Sequence, residues 1–246
     1  MTERKSGGLS GNALKLIAVV SMFIDHAGVV LFPHVIVLRV IGRLAFPIFA
    51  FMLAEGCEKT HHKGRHFLSV FVLGCGCQLV YYLYDGDTYM NILITLSLSI
   101  LLLYALQYAK AALFGGCGWG KKLLATSVFL LVVAAMWVLN RYVRIDYGFW
   151  GCMLPVMASL LRPTSTGAPA ALVTLDTRVV QVATFTAGLV ILAAVTGGVQ
   201  VYSLCAVPLL LLYSGQRGKW RMKWFFYIFY PTHLAALELI SLVWRG

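Results

Sequence analysis

The stretch Ala13-Leu14-Lys15-Leu16-Ile17-Ala18-Val19-Val20-Ser21-Met22-Phe23-Ile24-Asp25-His26-Ala27-Gly28-Val29-Val30-Leu31-Phe32 is apolar for the length of a membrane span, yet it holds Asp25 and His26. About 20 apolar residues in a helix cross the roughly 30 Å hydrocarbon layer. A second such run, Val35–Gly56, follows at once and carries Arg39, Arg43 and Glu55. A charge at mid-bilayer costs about 2.5 kcal/mol or more, so such residues turn inward and mark a functional site. The two runs therefore predict a helical membrane protein with a polar centre buried in its bundle.

The rest of the chain agrees. Of its 246 residues 60% are hydrophobic and 12% charged, against about 25% charged in a soluble domain. No polar stretch reaches domain length, so residues 1–246 are expected to form one all-α transmembrane domain. Charged or Gly/Pro-rich breaks divide it into about nine spans near 12–32, 35–56, 66–84, 91–112, 122–140, 146–161, 178–196, 199–214 and 223–244. The first run is too long for a signal peptide and lacks a small-residue cleavage site.

The net charge of +11 sits mostly in short gaps between apolar runs. That placement points to orientation in a membrane and to anionic lipid or a polyanionic ligand, and away from nucleic acid. With the amino terminus inside, the cytoplasmic gaps hold Arg4 and Lys5; Lys59, Lys63 and Arg65; Lys110, Lys121 and Lys122; Arg162 and Arg178; and Arg217, Lys219, Arg221 and Lys223. The external gaps hold the acidic turn Asp85-Gly86-Asp87, with Arg141 and Arg144 as exceptions. The six cysteines have neither zinc-finger nor redox-motif spacing and read as small packing residues. The run His61-His62-Lys63-Gly64-Arg65-His66 lacks an acidic or cysteine partner and reads as a basic loop, with no metal expected.

Depth can be counted from the turn near Pro33. At 1.5 Å per residue, Asp25, His26, Arg39 and Arg43 fall in one layer about 6 Å thick. Arg39 and Arg43 share a helix face, whereas Asp25 and His26 point about 100° apart and cannot bond each other. A buried carboxylate needs a partner, so Asp25 is expected to pair with an arginine across the hairpin and leave His26 turned towards a cavity. Pro47 and Pro231 should bend their spans. His233, two residues after Pro231, is a second histidine near mid-bilayer, and Gln78, Asn91 and Tyr230 are candidates for polar lining. The blander alternatives are a structural ion-pair network for Asp25 and the arginines, and interhelical hydrogen bonding for the histidines. Glu55, at the cytoplasmic end, is explained as well by snorkelling as by function.

These residues carry a family resemblance. Ala13-Leu14-Lys15 running to Ile24-Asp25-His26 resembles the start of the TraX family. So does Leu38-Arg39-Val40-Ile41-Gly42-Arg43-Leu44-Ala45-Phe46-Pro47-Ile48-Phe49-Ala50-Phe51, continuing to Glu55-Gly56. Weaker similarity runs through Gln78, Asn91–Leu96, Tyr147-Gly148 and Tyr230-Pro231-Thr232-His233-Leu234. The family is named for the acetylase of conjugative pilin, and it is similar to integral-membrane acyltransferases with a first-span histidine, nearby arginines and a late Tyr-x-x-His pattern. Tyr230 and His233 match that pattern.

The resemblance implies acetyl transfer from cytosolic acetyl-CoA, without metal, in a bacterial inner membrane. The acceptor would be an amine or hydroxyl of a peptide or sugar; nothing in the chain specifies a pilin. Such transfer needs a general base and a stabilised oxyanion. His26 is the expected base, Arg39 and Arg43 the stabilisers, Asp25 their partner, and His233 a positioning group. Lys121, Lys122, Arg217, Lys219, Arg221 and Tyr230 are expected to bind the donor. The rival reading is a proton-coupled secondary transporter using Asp25 and His26. Against it stand the absence of a sequence repeat and of paired broken helices.

Overall fold

A computed structural model describes residues 7–164, 167–219 and 222–245. Arg221, expected to bind the donor, lies outside the described residues, as do Arg4 and Lys5. The regular structure of the described residues is all helical, with two isolated β-bridges and no strand. Among the described residues seven helical segments are long and apolar enough to cross a membrane, Ile36–Lys59 among them as a helix interrupted once. Two shorter apolar helices, Gly148–Ser159 and Gly198–Leu211, bring the apolar segments to the nine expected. The protein is an all-α polytopic membrane protein.

The chain divides into two units, Met1–Met52 with Ala193–Gly246, and Leu53–Leu192. In the first unit, α1 (Gly11–Val30) begins with its free amides satisfied. Ser10 Oγ accepts from the Ala13 amide at 3.2 Å, and the carbonyls of Gln216 and Arg217 accept from Gly11 and Asn12 at 2.7 and 3.0 Å. A helix entering a membrane cannot leave these groups unpaired. After the turn at Pro33, α2 (Ile36–Gly42) returns along α1 and packs closely on it. Glycine permits that approach: a Cβ at Gly28 would lie 2.8 Å from Leu38 Cβ, and one at Gly42 would collide with the side chain of Asp25.

The second apolar run is not one helix. It breaks at Arg43-Leu44 and resumes as α3 (Ala45–Lys59), with Pro47 in the first turn. An amide missing there forfeits no bond, so the bend expected from Pro47 takes the form of a new helix start.

The second unit, beginning within α3, contains α4 (Lys63–Asp85), α5 (Ile92–Phe114), α6 (Trp119–Tyr142), α7 (Gly148–Ser159), the short α8 (Ala170–Leu175) and most of α9 (Arg178–Thr196). α5 is its buried centre, packed against α4, α6 and α7. Its buried hydroxyls are satisfied: Ser97 and Ser99 donate to carbonyls one turn back, at 2.7 and 2.9 Å, and Thr95 to the Asp146 carbonyl at 2.8 Å. Gln78 and Asn91 are structural here. Asn91 accepts from the Leu93 amide at 3.0 Å as the cap of α5, and donates to Gln78 at 3.1 Å. At the same end Arg144, an exception to the charge pattern, faces Asp87 at 3.9 Å. Burial, with the Asp146 carboxylate beside it, pushes the Tyr89 phenol up to about 12. The outward faces of α4 and α6, including Val80, Leu83, Leu123 and Leu131, are exposed and apolar, as lipid requires.

The first unit closes with a 3-10 helix (Gly198–Ala206), α10 (Val207–Leu211) and α11 (Lys223–Arg245). Nine residues is long for a 3-10 helix, in which side chains three apart eclipse one another. The buried row here is Gln200, Ser203 and Ala206, at that spacing.

Candidate functional site

Asp25 sits between two arginines of the hairpin. Arg43 Nη2 donates to both carboxylate oxygens, at 2.9 and 2.8 Å, and Arg39 Nη1 lies 2.9 Å from Oδ2. The pairing expected from depth counting is present, and it engages both arginines. Arg43 Nη1 also donates to Gln200 Oε1 at 3.4 Å. Gln200 and Ser203 are 2% and 0% exposed, and Gln200 Nε2 and Ser203 Oγ have no hydrogen-bond partner among the described residues. The row they share on the 3-10 helix thus brings unused polar groups to the arginine side of the centre.

His26 bonds across to a second histidine. Its Nδ1 lies 2.7 Å from Nε2 of His233, and Nδ1 of His233 lies 2.7 Å from the Phe229 carbonyl oxygen on the preceding turn of α11. A carbonyl only accepts, so Nδ1 of His233 carries its hydrogen and, in the neutral ring, Nε2 holds a lone pair. His26 Nδ1–H must then be the donor, which leaves the lone pair of His26 on Nε2. No hydrogen bond among the described residues engages that atom. Phe229 stacks on His233 at 4.7 Å and 11°, and Tyr230 meets it edge-on at 5.9 Å. Thr232 Oγ1 donates to the Ile228 carbonyl at 2.8 Å in the turn containing Pro231. The aromatic frame fixes the His233 ring, and the His233 ring fixes the tautomer of His26.

The second unit holds another ionic cluster. Glu55 is 3% exposed; it does not snorkel. Arg162 pairs with it directly, Lys59 Nζ lies 2.9 Å away and Arg178 Nη1 3.2 Å. Gln181 Oε1 accepts from Arg162 and Arg178 at 2.6 and 3.0 Å, and its amide donates to Asp176 at 2.6 Å. Lys110 Nζ donates to the carbonyls of Ser159 and Arg162 that close α7. Charge counting alone assigns Arg162 and Arg178 to cytoplasmic gaps and misses this cluster.

The residues expected to bind the donor are dispersed over both units. Lys121 and Lys122 open α6 in the second, with Lys122 over the Trp119 ring at 5.5 Å. Arg217 and Lys219 are exposed in the first, after α10. Tyr230 is buried against His233. In the histidine run, His61 and His62 are exposed, whereas His66 turns inward with Nδ1 3.0 Å from Tyr104 Oη. Among the described residues no three histidine, cysteine or acidic groups are placed to hold a metal.

Comparison with known proteins adds the family. An uncharacterized protein of Rickettsia prowazekii (strain Madrid E) is 50% identical over 38 residues, a segment that is 15% of this chain and 15% of that relative. No solved structure matches. The TraX protein family matches residues 10–241, nearly end to end and across Asp25, His26, both arginines and His233, and the chain belongs to that family.

Proposed function

We propose that this TraX-family protein is a membrane-bound acetyltransferase that moves the acetyl group of acetyl-CoA to an amine, or a hydroxyl, of a peptide or sugar acceptor at or beyond the membrane. The observation that carries this reading is the chain from the Phe229 carbonyl through His233 to His26, which leaves a lone pair on His26 Nε2. That atom takes a proton from the acceptor as the acceptor's nitrogen or oxygen attacks the thioester carbon. The new carbon–nitrogen or carbon–oxygen bond forms, the carbon–sulfur bond breaks, and the departing thiolate receives the proton. When His26 is charged, its Nδ1–H still donates to His233, so the relay stabilises the protonated ring.

Arg39 and Arg43 both pair with the one carboxylate of Asp25, and both guanidinium charges act on His26. A fixed cation in a desolvated site stabilises a developing oxyanion strongly. Asp25 positions both guanidiniums and touches no reacting atom. The scheme uses no metal. On this reading the chain lies in a bacterial inner membrane with its amino terminus in the cytosol, as the distribution of basic residues between spans supports, and the donor arrives from that side. Lys121, Lys122, Arg217, Lys219 and Arg221 concentrate its phosphates, and Tyr230 frames the thioester beside His233.

The test uses purified full-length protein with acetyl-CoA and, as acceptors, glucosamine and a short peptide with a free amino terminus. Acceptor-dependent release of coenzyme A thiol, with acetylated product, is the expected result. Protein that leaves the thioester intact but carries protons across a vesicle membrane would replace this reading with a proton-coupled transporter.

A further inference from the structure

We propose that the buried cluster around Glu55 is a binding site for a phosphate-bearing anion. It lies within Leu53–Leu192, apart in sequence from the histidine centre. Among the described residues, Lys59, Lys110, Arg162 and Arg178 gather with two carboxylates, Glu55 and Asp176, which leaves two positive charges in surplus. Glu58 and Lys63, joined through Gln107, add one charge of each sign and leave that surplus unchanged.

A second observation points the same way. Ser159 Oγ, Arg162 Nε and Thr164 Oγ1 are buried and have no hydrogen-bond partner among the described residues. Ser159 is 1% exposed and Arg162 9%. Buried polar atoms in folded proteins are nearly always paired, and a bound ion or other group is one of the explanations for those that are not. All three can donate, and they follow one another within six residues at the end of α7. Arg162 Nε can only donate and the two hydroxyls can turn to donate, so beside the positive charge they suit a ligand that accepts, carries negative charge and offers several oxygens. Phosphate, with about −1.5 to −2 charge and three free oxygens as a monoester, fits that demand, and arginine's planar fork suits it.

Access and depth agree with this ligand. The side chains of Arg178 and Lys59 are 25% and 58% exposed, which opens the cluster outward. The cluster is formed by the end of α3, the end of α5, the end of α7 and the start of α9, which alternating spans bring to one side of the membrane. Helix ends lie at the level where lipid phosphates sit and soluble phosphates arrive. Two sources share the chemistry: the nucleotide end of coenzyme A, an identification that rests on the acetyltransferase reading, and an anionic lipid headgroup.

The experiment uses full-length protein purified in a zwitterionic detergent. Adenosine 3′,5′-bisphosphate binding is measured by calorimetry, and retention of phosphatidylglycerol over phosphatidylcholine by mass spectrometry. Arg178→Gln is the informative variant, because Arg162 and Lys59 remain on Glu55 and keep the ion pair compensated. Wild-type protein should bind the nucleotide or select the anionic lipid. Arg178→Gln should weaken that binding about tenfold or more, and Thr164→Val several-fold, as expected for lost charged and neutral hydrogen bonds. Binding of neither probe, or binding unchanged in both variants, overturns the proposal. Nucleotide binding without thioester consumption supports the anion site and removes the acetyltransferase reading. Acetyl transfer with wild-type donor KM and lipid selection in Arg178→Gln does the reverse.

Discussion

Asp25 in one unit and Glu55 in the other each hold two arginines inside a membrane protein, yet what surrounds them differs. Asp25 is followed in sequence by His26, whose ring is bonded to a second imidazole and presents one nitrogen that no group in the described residues engages. Around Glu55 stand Lys59, Arg162 and Arg178, with the Gln181 amide bridging the two arginines. The first arrangement can hold a proton at a stated atom and give it up; the second can only hold charge. Buried ion pairs alone do not distinguish catalysis from architecture. The neighbouring lone pair does.

The contrast predicts that turnover and stability respond separately in the two centres. The largest effect belongs to His26→Ala, which should lower acetyl transfer by about 10²- to 10⁴-fold, the usual cost of losing a general base. Its melting temperature should stay near wild type; a purified variant with normal turnover would remove His26 from the chemistry. Arg162→Ala should act on folding instead. It removes a partner of Glu55 that is more buried than Lys59 and Arg178, which remain. Part of the cost of breaking a buried pair, about 3–5 kcal/mol in full, is therefore expected, and adding Glu55→Gln should restore most of the lost thermal stability. If the double variant melts no higher than Arg162→Ala, Glu55 is not what the missing arginine exposes.

Gly42→Ala links hairpin packing to the first centre. The added methyl occupies the space of the Asp25 side chain, so an overpacking cost of about 1–3 kcal/mol is expected, together with lower turnover. Wild-type melting and rate in this variant would mean that the close approach of α1 and α2 does not seat Asp25. The smallest effect is assigned to His233, which acts through His26. His233→Ala should cost about tenfold in rate, the worth of one hydrogen bond, and His233→Gln should recover part of it by offering His26 an acceptor. A loss in His233→Ala as large as in His26→Ala would give His233 a direct role.

Much of the first centre was legible in the sequence because its parts are local. Asp25 and both arginines lie on one hairpin, so counting residues from Pro33 places them at one depth and charge pairing follows. The bond from His26 to His233 spans 207 residues; depth makes it possible, but only packing of α1 on α11 makes it real. Gln200 and Ser203 were hidden because residues 199–214 read as an ordinary short span. The three-residue period of the 3-10 helix, started by two glycines with positive φ, is what aligns them. Arg162 and Arg178 look in sequence like any cytoplasmic arginine. Glu55 at the end of its span is the one local signal that buried partners were needed. In α2 and α3 the sequence shows the proline but not that the helix would restart two residues before it.

The role of His26 rests on which of its nitrogens is bare, and nitrogen-15 NMR reads that directly. With only the histidine rings labelled in full-length protein, His26→Gln and His233→Gln assign the two resonance sets among the chain's six histidines. At a pH where both rings are neutral, His26 and His233 should each show a protonated Nδ1 and an unprotonated Nε2, with a through-bond coupling between His26 Nδ1 and His233 Nε2. A hydrogen on Nε2 of His26 in the neutral protein would contradict the relay and leave the acceptor without its base.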